Sequence, residues 1–198
     1  MKQLLRILAL TMMCFGAPLA HAGPVTFFAN LDGASESTPN ASPGTGFATV
    51  VFDTTAHTMN VHVDFNGLLA GNTAAHIHCC TAVANFGTAP VATTTPTFTG
   101  FPSGVTSGTY DHLFDMTAAA SYRAGFITAN GGTTAAAEAA LFAGMLDEMT
   151  YFNIHTSVFP GGEIRGFLHQ QQVPEPASMF LVGLGLAGLG LSRRKRTG

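Results

Sequence analysis

Short segments in which hydrophobic and polar residues alternate recur along the chain and predict β-strands. The clearest is 58–65, where Met59, Val61, Val63 and Phe65 are separated by polar residues, as in a strand with one buried and one solvated face. Similar segments, separated by turn residues, lie at 25–31, 46–52, 74–80, 109–114, 149–156 and 163–169. The pattern predicts a mainly β domain, either an antiparallel β-sandwich or a flattened barrel.

Two segments interrupt the strand pattern. Residues 81–108 are rich in Thr, Pro, Gly and Ser and predict a long loop that Phe86, Phe98 and Phe101 hold on the core. The alanine-rich segment 134–145 carries its larger apolar residues at helical spacing and predicts a helix. We expect this helix to be an insertion over one end of the β domain.

The N-terminus has the features of a signal peptide, residues 1–22. Lys2 and Arg6 precede the apolar run 7–19, and an Ala-His-Ala cleavage pattern follows that run. The mature chain is therefore predicted to begin at Gly23. The alternative, a transmembrane anchor, needs about 20 apolar residues and leaves the cleavage pattern unexplained.

Residues 173–198 consist of a Val-Pro-Glu-Pro motif, an apolar run and a basic cluster, in that order. The apolar run followed by cations predicts a short transmembrane helix with the basic residues on the cytoplasmic side. The tail resembles a PEP-CTERM sorting signal of Gram-negative bacteria, with motif and cluster at Pro174, Glu175, Pro176, Arg193 and Arg194. The resemblance implies transient anchoring in the inner membrane, processing by an exosortase, and export to the cell surface or an exopolysaccharide matrix.

The body between these ends, 23–172, is strongly acidic. It contains two cationic residues, Arg123 and Arg165, and ten acidic ones, a net charge of −8 compared with −3 for the whole chain. Such a charge repels phosphate backbones, so nucleic acid is excluded as a partner. The body has the length of one domain with its own core.

The candidate metal ligands concentrate in the predicted strand 74–80. Alternation places His76, His78 and Cys80 on one face of that strand. His155, from another predicted strand, is a candidate third imidazole, and three neutral imidazoles suit copper or zinc. Cys80 is then the candidate fourth ligand.

A purely structural role for these histidines is the alternative interpretation. Their rings would then hydrogen-bond backbone carbonyls, Asn153 or Glu163 at one end of the domain. A dinuclear site of the copper/zinc superoxide dismutase kind requires more imidazoles, and the spacing of the other histidines recruits none: His57, His62, His112 and His169.

Cys79 and Cys80 are the only cysteines of the body, so the chain has no disulfide framework. Their Cα atoms would lie about 3.8 Å apart across a trans peptide, below the usual range for a disulfide. The alternatives are a vicinal disulfide, a metal thiolate or a small buried pair. An oxidising compartment favours the disulfide.

Glu163 and Arg165 lie two residues apart and share one face of the last predicted strand. Because Arg165 is one of two cations in the body, we predict a structural role for it, pairing with Glu163, Asp64 or backbone carbonyls. Binding of a substrate anion is the alternative.

Three segments of the body, taken in order, resemble the motifs of the CHRD domain. They are 75–78 (Ala-His-Ile-His), 151–156 (Tyr-Phe-Asn-Ile-His-Thr) and 162–166 (Gly-Glu-Ile-Arg-Gly). The resemblance extends over most of 25–168 and implies an extracellular β-sandwich with no established reaction. The adjacent cysteines and the long alanine-rich segment depart from the family pattern.

Together these features predict an exported structural or binding module that contacts surface or matrix components and has no defined reaction. The alternative is a copper or zinc protein that uses His76, His78 and His155, with redox activity like that of superoxide dismutase.

Overall fold

A computed structural model describes residues 23–171. The predicted signal peptide and the predicted sorting tail, with its transmembrane helix, lie outside the described residues. Within the described range, no helix is both long and apolar enough to cross a membrane.

Eight strands form one antiparallel sheet. They are β1 (Val25–Asp32), β2 (Thr45–Asp53), β3 (Thr58–Asn66), β4 (Asn72–Cys79), β5 (Gly108–Asp115), β6 (Thr150–Thr156), β7 (Ile164–Phe167) and β8 (His169–Gln170). Their order across the sheet is β4-β6-β7-β1-β2-β3-β5, and β8 pairs with β1. The sheet curls into a half-barrel, so the predicted mainly β, antiparallel fold is confirmed.

The alternation of residues along each strand separates the core from the outer face. In β3, Met59, Val61 and Val63 are fully buried, while His62 and Asp64 between and after them lie outside. The same division holds in β4, where Ile77 is fully buried in the core. The neighbouring histidines of β4 therefore point to the opposite face of the sheet.

The predicted helical insertion is confirmed and closes the inner side of the sheet. It consists of α1 (Ala124–Ala129) and α2 (Thr134–Leu146). The side chain of Thr133 caps α2 by accepting a hydrogen bond from a backbone N–H in the first turn. From α2, the Phe142 ring packs against those of Phe27 and Phe52, which joins the helix to the sheet.

The long loop between β4 and β5 lies along the otherwise free edge of β4. The backbone N–H groups of Ala92 and Phe98 each donate a hydrogen bond of 3.0 Å to a carbonyl of β4. Phe98 and Phe101 are buried as predicted, whereas Phe86 is 74% exposed and does not hold the loop on the core. Two carbonyls of the same loop, those of Ala89 and Pro96, contact the histidine rings on the outer face of β4.

Candidate metal centre

Three histidines from two paired strands converge on the outer face of the sheet. His76 and His78 belong to β4, and His155 belongs to β6, where it pairs with Ala74. One ring nitrogen from each histidine lies within 4.8 Å of those of the other two. The structure thus brings together the three imidazoles that the sequence proposed as ligands.

Each of the three rings donates one N–H to a backbone carbonyl. His76 Nε2 donates to Pro96 O (2.5 Å), His78 Nδ1 to Ala89 O (2.8 Å), and His155 Nδ1 to Pro160 O (2.9 Å). A carbonyl oxygen only accepts, so each contact requires a protonated ring nitrogen and fixes one tautomer. Metal-bound histidines in proteins usually donate their second ring N–H to a carbonyl or carboxylate, which orients the ring. The three carbonyls here orient the rings and their lone pairs in the same way.

The second nitrogen of each ring is buried and has no hydrogen-bond partner. These atoms are His76 Nδ1, His78 Nε2 and His155 Nε2. In a neutral imidazole whose other nitrogen carries the proton, each is a lone pair that can only accept. The three-histidine group therefore contains three buried acceptors, and none of them receives a hydrogen bond.

Burial keeps the imidazoles neutral. Desolvation lowers the pKa of His76 and of His78 to about 4, and it lowers the pKa of His155 as well. At neutral pH the site consequently offers three uncharged imidazoles, the protonation state that zinc and copper require. Such a set leaves a fourth position for another ligand.

Arg165 and Tyr151 stack behind this cluster. The Tyr151 ring lies parallel to that of His78, with centroids 4.6 Å apart, and the Arg165 guanidinium lies 4.8 Å from the Tyr151 ring centroid. The stack holds the plane of the His78 ring parallel to that of Tyr151. Tyr151 lies in the motif 151–156, but the sequence pattern gave it no predicted role of its own.

Cys79 and Cys80 form a vicinal disulfide. Strand β4 ends at Cys79, so alternation does not extend to Cys80, and its sulfur lies on the side of α2, near the Ala140 carbonyl. Cys80 is therefore outside the three-histidine group, contrary to its predicted place as a fourth ligand. Gly144 of α2 makes room for the disulfide, since a Cβ there would collide with both sulfur atoms.

The predicted pairing of Glu163 with Arg165 is wrong for the described residues. Arg165 Nε lies 3.8 Å from the Glu36 carboxyl, and the guanidinium donates to the backbone carbonyls of Ser35 and Gly87. Glu163 precedes the first residue of β7, so the alternation that suggested a shared face does not apply to it. The predicted use of backbone carbonyls by Arg165 does occur.

Glu163 is fully buried and holds three chain segments together. Its carboxyl accepts hydrogen bonds from the Ser42 hydroxyl (2.5 Å), the Leu69 N–H (2.7 Å) and the Thr156 hydroxyl (2.6 Å). These donors come from the loop before β2, the loop after β3 and the end of β6. The residue is thus a structural junction next to the strand that carries His155.

Glu36 is the buried acid that sequence analysis missed. It is 7% exposed and accepts hydrogen bonds from Asn153 Nδ2, at 3.1 and 3.4 Å. Desolvation raises the pKa of Glu36 to about 7, against the opposing effect of the Arg165 charge. Its position in a loop of Ser, Thr and Pro gave no periodic pattern, whereas Asn153 could have been found by its alternation with His155.

The other histidines of the body lie elsewhere. His57 contacts the carboxyl group of Glu138, His62 those of Asp64 and Asp111, and His169 that of Glu148. His112 stacks on the Tyr110 ring and meets the Phe114 ring edge-on. In the part of the chain that the structure describes, the one group of side chains that could hold a metal is therefore the cluster of three histidines. This arrangement does not favour a dinuclear site.

The pKa values of the buried histidines and of Glu36 are shifted in opposite directions. The pH dependence of the unfolding free energy therefore tests whether these groups are buried as described. The lowered pKa values of His76 and His78 make the metal-free fold lose stability as pH falls from about 6.5 towards 4. The raised pKa of Glu36 has the opposite effect. The stability that its burial in the protonated form contributes is complete below about pH 4.5 and is lost as pH rises through 7.

We therefore expect Glu36→Gln, in the presence of a chelator, to show a steeper rise in unfolding free energy between pH 4 and 6.5 than the wild type. Denaturant titrations at several pH values measure this slope, and Glu148→Gln serves as an exposed control. Equal slopes for the wild type and Glu36→Gln would contradict the assignment.

Comparison with protein families identifies the body and the tail separately. The CHRD domain family matches residues 27–168, so the chain belongs to the CHRD domain family. A PEP-CTERM protein-sorting motif matches residues 172–195, which marks the chain for export with a membrane-anchored sorting signal. Searches of curated proteins and of solved structures found no match.

Proposed function

We propose that the protein is processed by an exosortase and reaches the cell surface or the extracellular matrix, where its CHRD domain binds one copper or zinc ion. The PEP-CTERM motif supports the export and the processing. The body then acts as a binding module whose ligand is the metal. Surface or matrix components are its proposed neighbours, and the tail contacts the inner membrane before processing.

The observation that carries metal binding is the set of three buried nitrogens without partners. Leaving a buried acceptor unsatisfied costs about 1–3 kcal/mol, and here three such acceptors share one small region. A cation satisfies all three at once, whereas they cannot satisfy one another. The carbonyls of Pro96, Ala89 and Pro160 hold each ring in the tautomer that keeps its lone pair available.

A dismutase-like reaction is not part of this proposal. One three-histidine cluster supports a mononuclear site, and the remaining histidines of the body contact other groups. The proposal is therefore a metal-binding module with no assigned reaction.

Metal analysis of the purified protein tests the proposal. After removal of metal by a chelator and loading with copper or zinc, we expect about one ion per chain in the wild type and stoichiometric loss in His78→Ala. His62→Ala is the matched control, because His62 is a histidine on the outer face of β3 with carboxyl partners only. Wild-type protein that retains neither metal would end the proposal.

A further inference from the structure

A fourth buried acceptor without a partner, Asn153 Oδ1, lies beside the three histidines. Asn153 pairs with His76 across the β4–β6 ladder, and its side chain shares a face with that of His155, two residues along β6. Directly paired residues have Cβ atoms about 4.5–5.5 Å apart, so the amide and the His76 ring are neighbours. Asn153 is 2% exposed.

The orientation of this amide is set by Glu36. Asn153 Nδ2 donates to the Glu36 carboxyl, which leaves Oδ1 as the atom without a donor. Gly162 makes room for this pair: its φ is +129°, and a Cβ there would lie 2.6 Å from Asn153 Nδ2 and Glu36 Oε1 and 2.7 Å from Asn153 Oδ1. A glycine in the turn between β6 and β7 therefore lets the amide and the carboxyl lie against the backbone.

The cluster is rich in acceptors and lacks donors. Among the described residues, five buried side-chain nitrogen or oxygen atoms have no partner, and four belong here: Asn153 Oδ1 and one nitrogen from each of the three histidines. The Tyr151 hydroxyl donates to Ala89 O, and Arg165 donates from Nε to Ser35 O and from Nη1 to Gly87 O, so none of these hydrogen bonds reaches the four acceptors. Zinc and copper prefer imidazole nitrogens to a neutral amide oxygen, so a metal held by the three histidines leaves Asn153 Oδ1 in need of a hydrogen-bond donor.

On the basis of the proposed metal site, we propose that its fourth position binds a small protic oxygen ligand, water or hydroxide, which donates its O–H to Asn153 Oδ1. Three imidazoles leave one position of a tetrahedral ion open. Asn153 is then the residue that selects the ligand, and Glu36 is a positioning residue that holds the amide. An acceptor in this place favours ligands that carry a proton over aprotic anions such as azide.

Copper(II)-loaded protein provides the test, with azide as the competing aprotic ligand. Asn153→Leu keeps the approximate side-chain shape and removes the Oδ1 acceptor. We expect azide to bind this variant at least about 5-fold more tightly than the wild type, because the water that azide displaces no longer has that hydrogen bond. We also expect copper affinity to fall by about 10- to 100-fold, as for other outer partners of metal sites. The azide-to-copper absorption band reports the first effect and competition with a chelator the second.

Two further variants separate positioning from folding. Glu36→Ala keeps Asn153 and releases its amide, so it is expected to shift azide binding in the same direction as Asn153→Leu. Glu36→Gln retains an acceptor for Asn153 Nδ2 and is expected to restore wild-type azide binding. Asn60→Ala is the control, since Asn60 lies on β3, four strands from β6 in the sheet, and its amide contacts Asp111 of β5.

The outcomes distinguish this inference from the proposed function. If the wild type binds no copper, the metal site itself fails. If the wild type binds copper but azide affinity is unchanged in both Asn153→Leu and Glu36→Ala, only the ligand-selecting role is overturned. Weaker azide binding in Asn153→Leu, or spectra of the wild type that show Asn153 Oδ1 bonded directly to copper, would also overturn it.

Discussion

Zinc or copper is expected to raise the free energy of unfolding of the wild-type protein and to leave that of His155→Ala unchanged. A ligand that binds only the folded state stabilises it by about 2.7 kcal/mol at a free concentration 100-fold above its Kd. His155 is the informative position because it is the ligand from β6, and its loss leaves only the two histidines of β4. Denaturant unfolding with metal and with a chelator measures the difference.

His62→Ala provides the control for this prediction, since it removes a histidine from the same body without touching the cluster. It is expected to keep the full metal-dependent gain. Circular dichroism of metal-free His155→Ala verifies that the variant is folded before metal is added. A wild type whose stability does not respond to either metal, or a folded His155→Ala that keeps the gain, would contradict the site.

Glu163→Ala is expected to lower the free energy of unfolding by about 3–5 kcal/mol. The substitution leaves the Ser42 hydroxyl, the Leu69 N–H and the Thr156 hydroxyl without their acceptor and opens a cavity where a fully buried side chain had been. The loss comes from one residue that joins three segments, so the unfolding midpoint in denaturant should fall markedly.

Two comparison variants refine this result. Glu163→Gln is expected to lose less stability than Glu163→Ala, because its amide oxygen still accepts hydrogen bonds. The recovery is partial, because its NH₂ group then faces one of the donors. Glu148→Gln, at an acid that is about 40% exposed, is expected to change stability by less than about 1 kcal/mol. A Glu163→Ala loss no larger than that of Glu148→Gln would show that the three contacts contribute little.

Strand periodicity predicted much of the fold and part of the site. Alternation in β3 and β4 identified the buried face, and the two-residue spacing of His76 and His78 placed both rings on one side of β4. The sequence placed His155 on a different strand and proposed it as a third imidazole. That it lies next to His76 depends on the register of β4 with β6, which the sequence did not show. Local patterns were sufficient here because each of the three candidate ligands lies in a regular strand.

The predictions that were wrong concern residues at strand ends and in loops. Cys80 lies just beyond β4 and Glu163 just before β7, so alternation gave each a false orientation. Glu36 lies in a loop with no periodic pattern, and its approach to Asn153 and Arg165 depends on contacts across more than 100 residues of sequence. Such partners are fixed by tertiary packing, which a single sequence does not encode locally.

X-ray absorption of the zinc-loaded protein observes the proposed metal ligands themselves. We expect scattering from three imidazoles with zinc–nitrogen distances of about 2.0–2.1 Å, completed by one light-atom ligand. We also expect the number of imidazoles to fall in His76→Ala. A zinc–sulfur distance of about 2.3 Å, or a wild-type shell with fewer than three imidazoles, would contradict it.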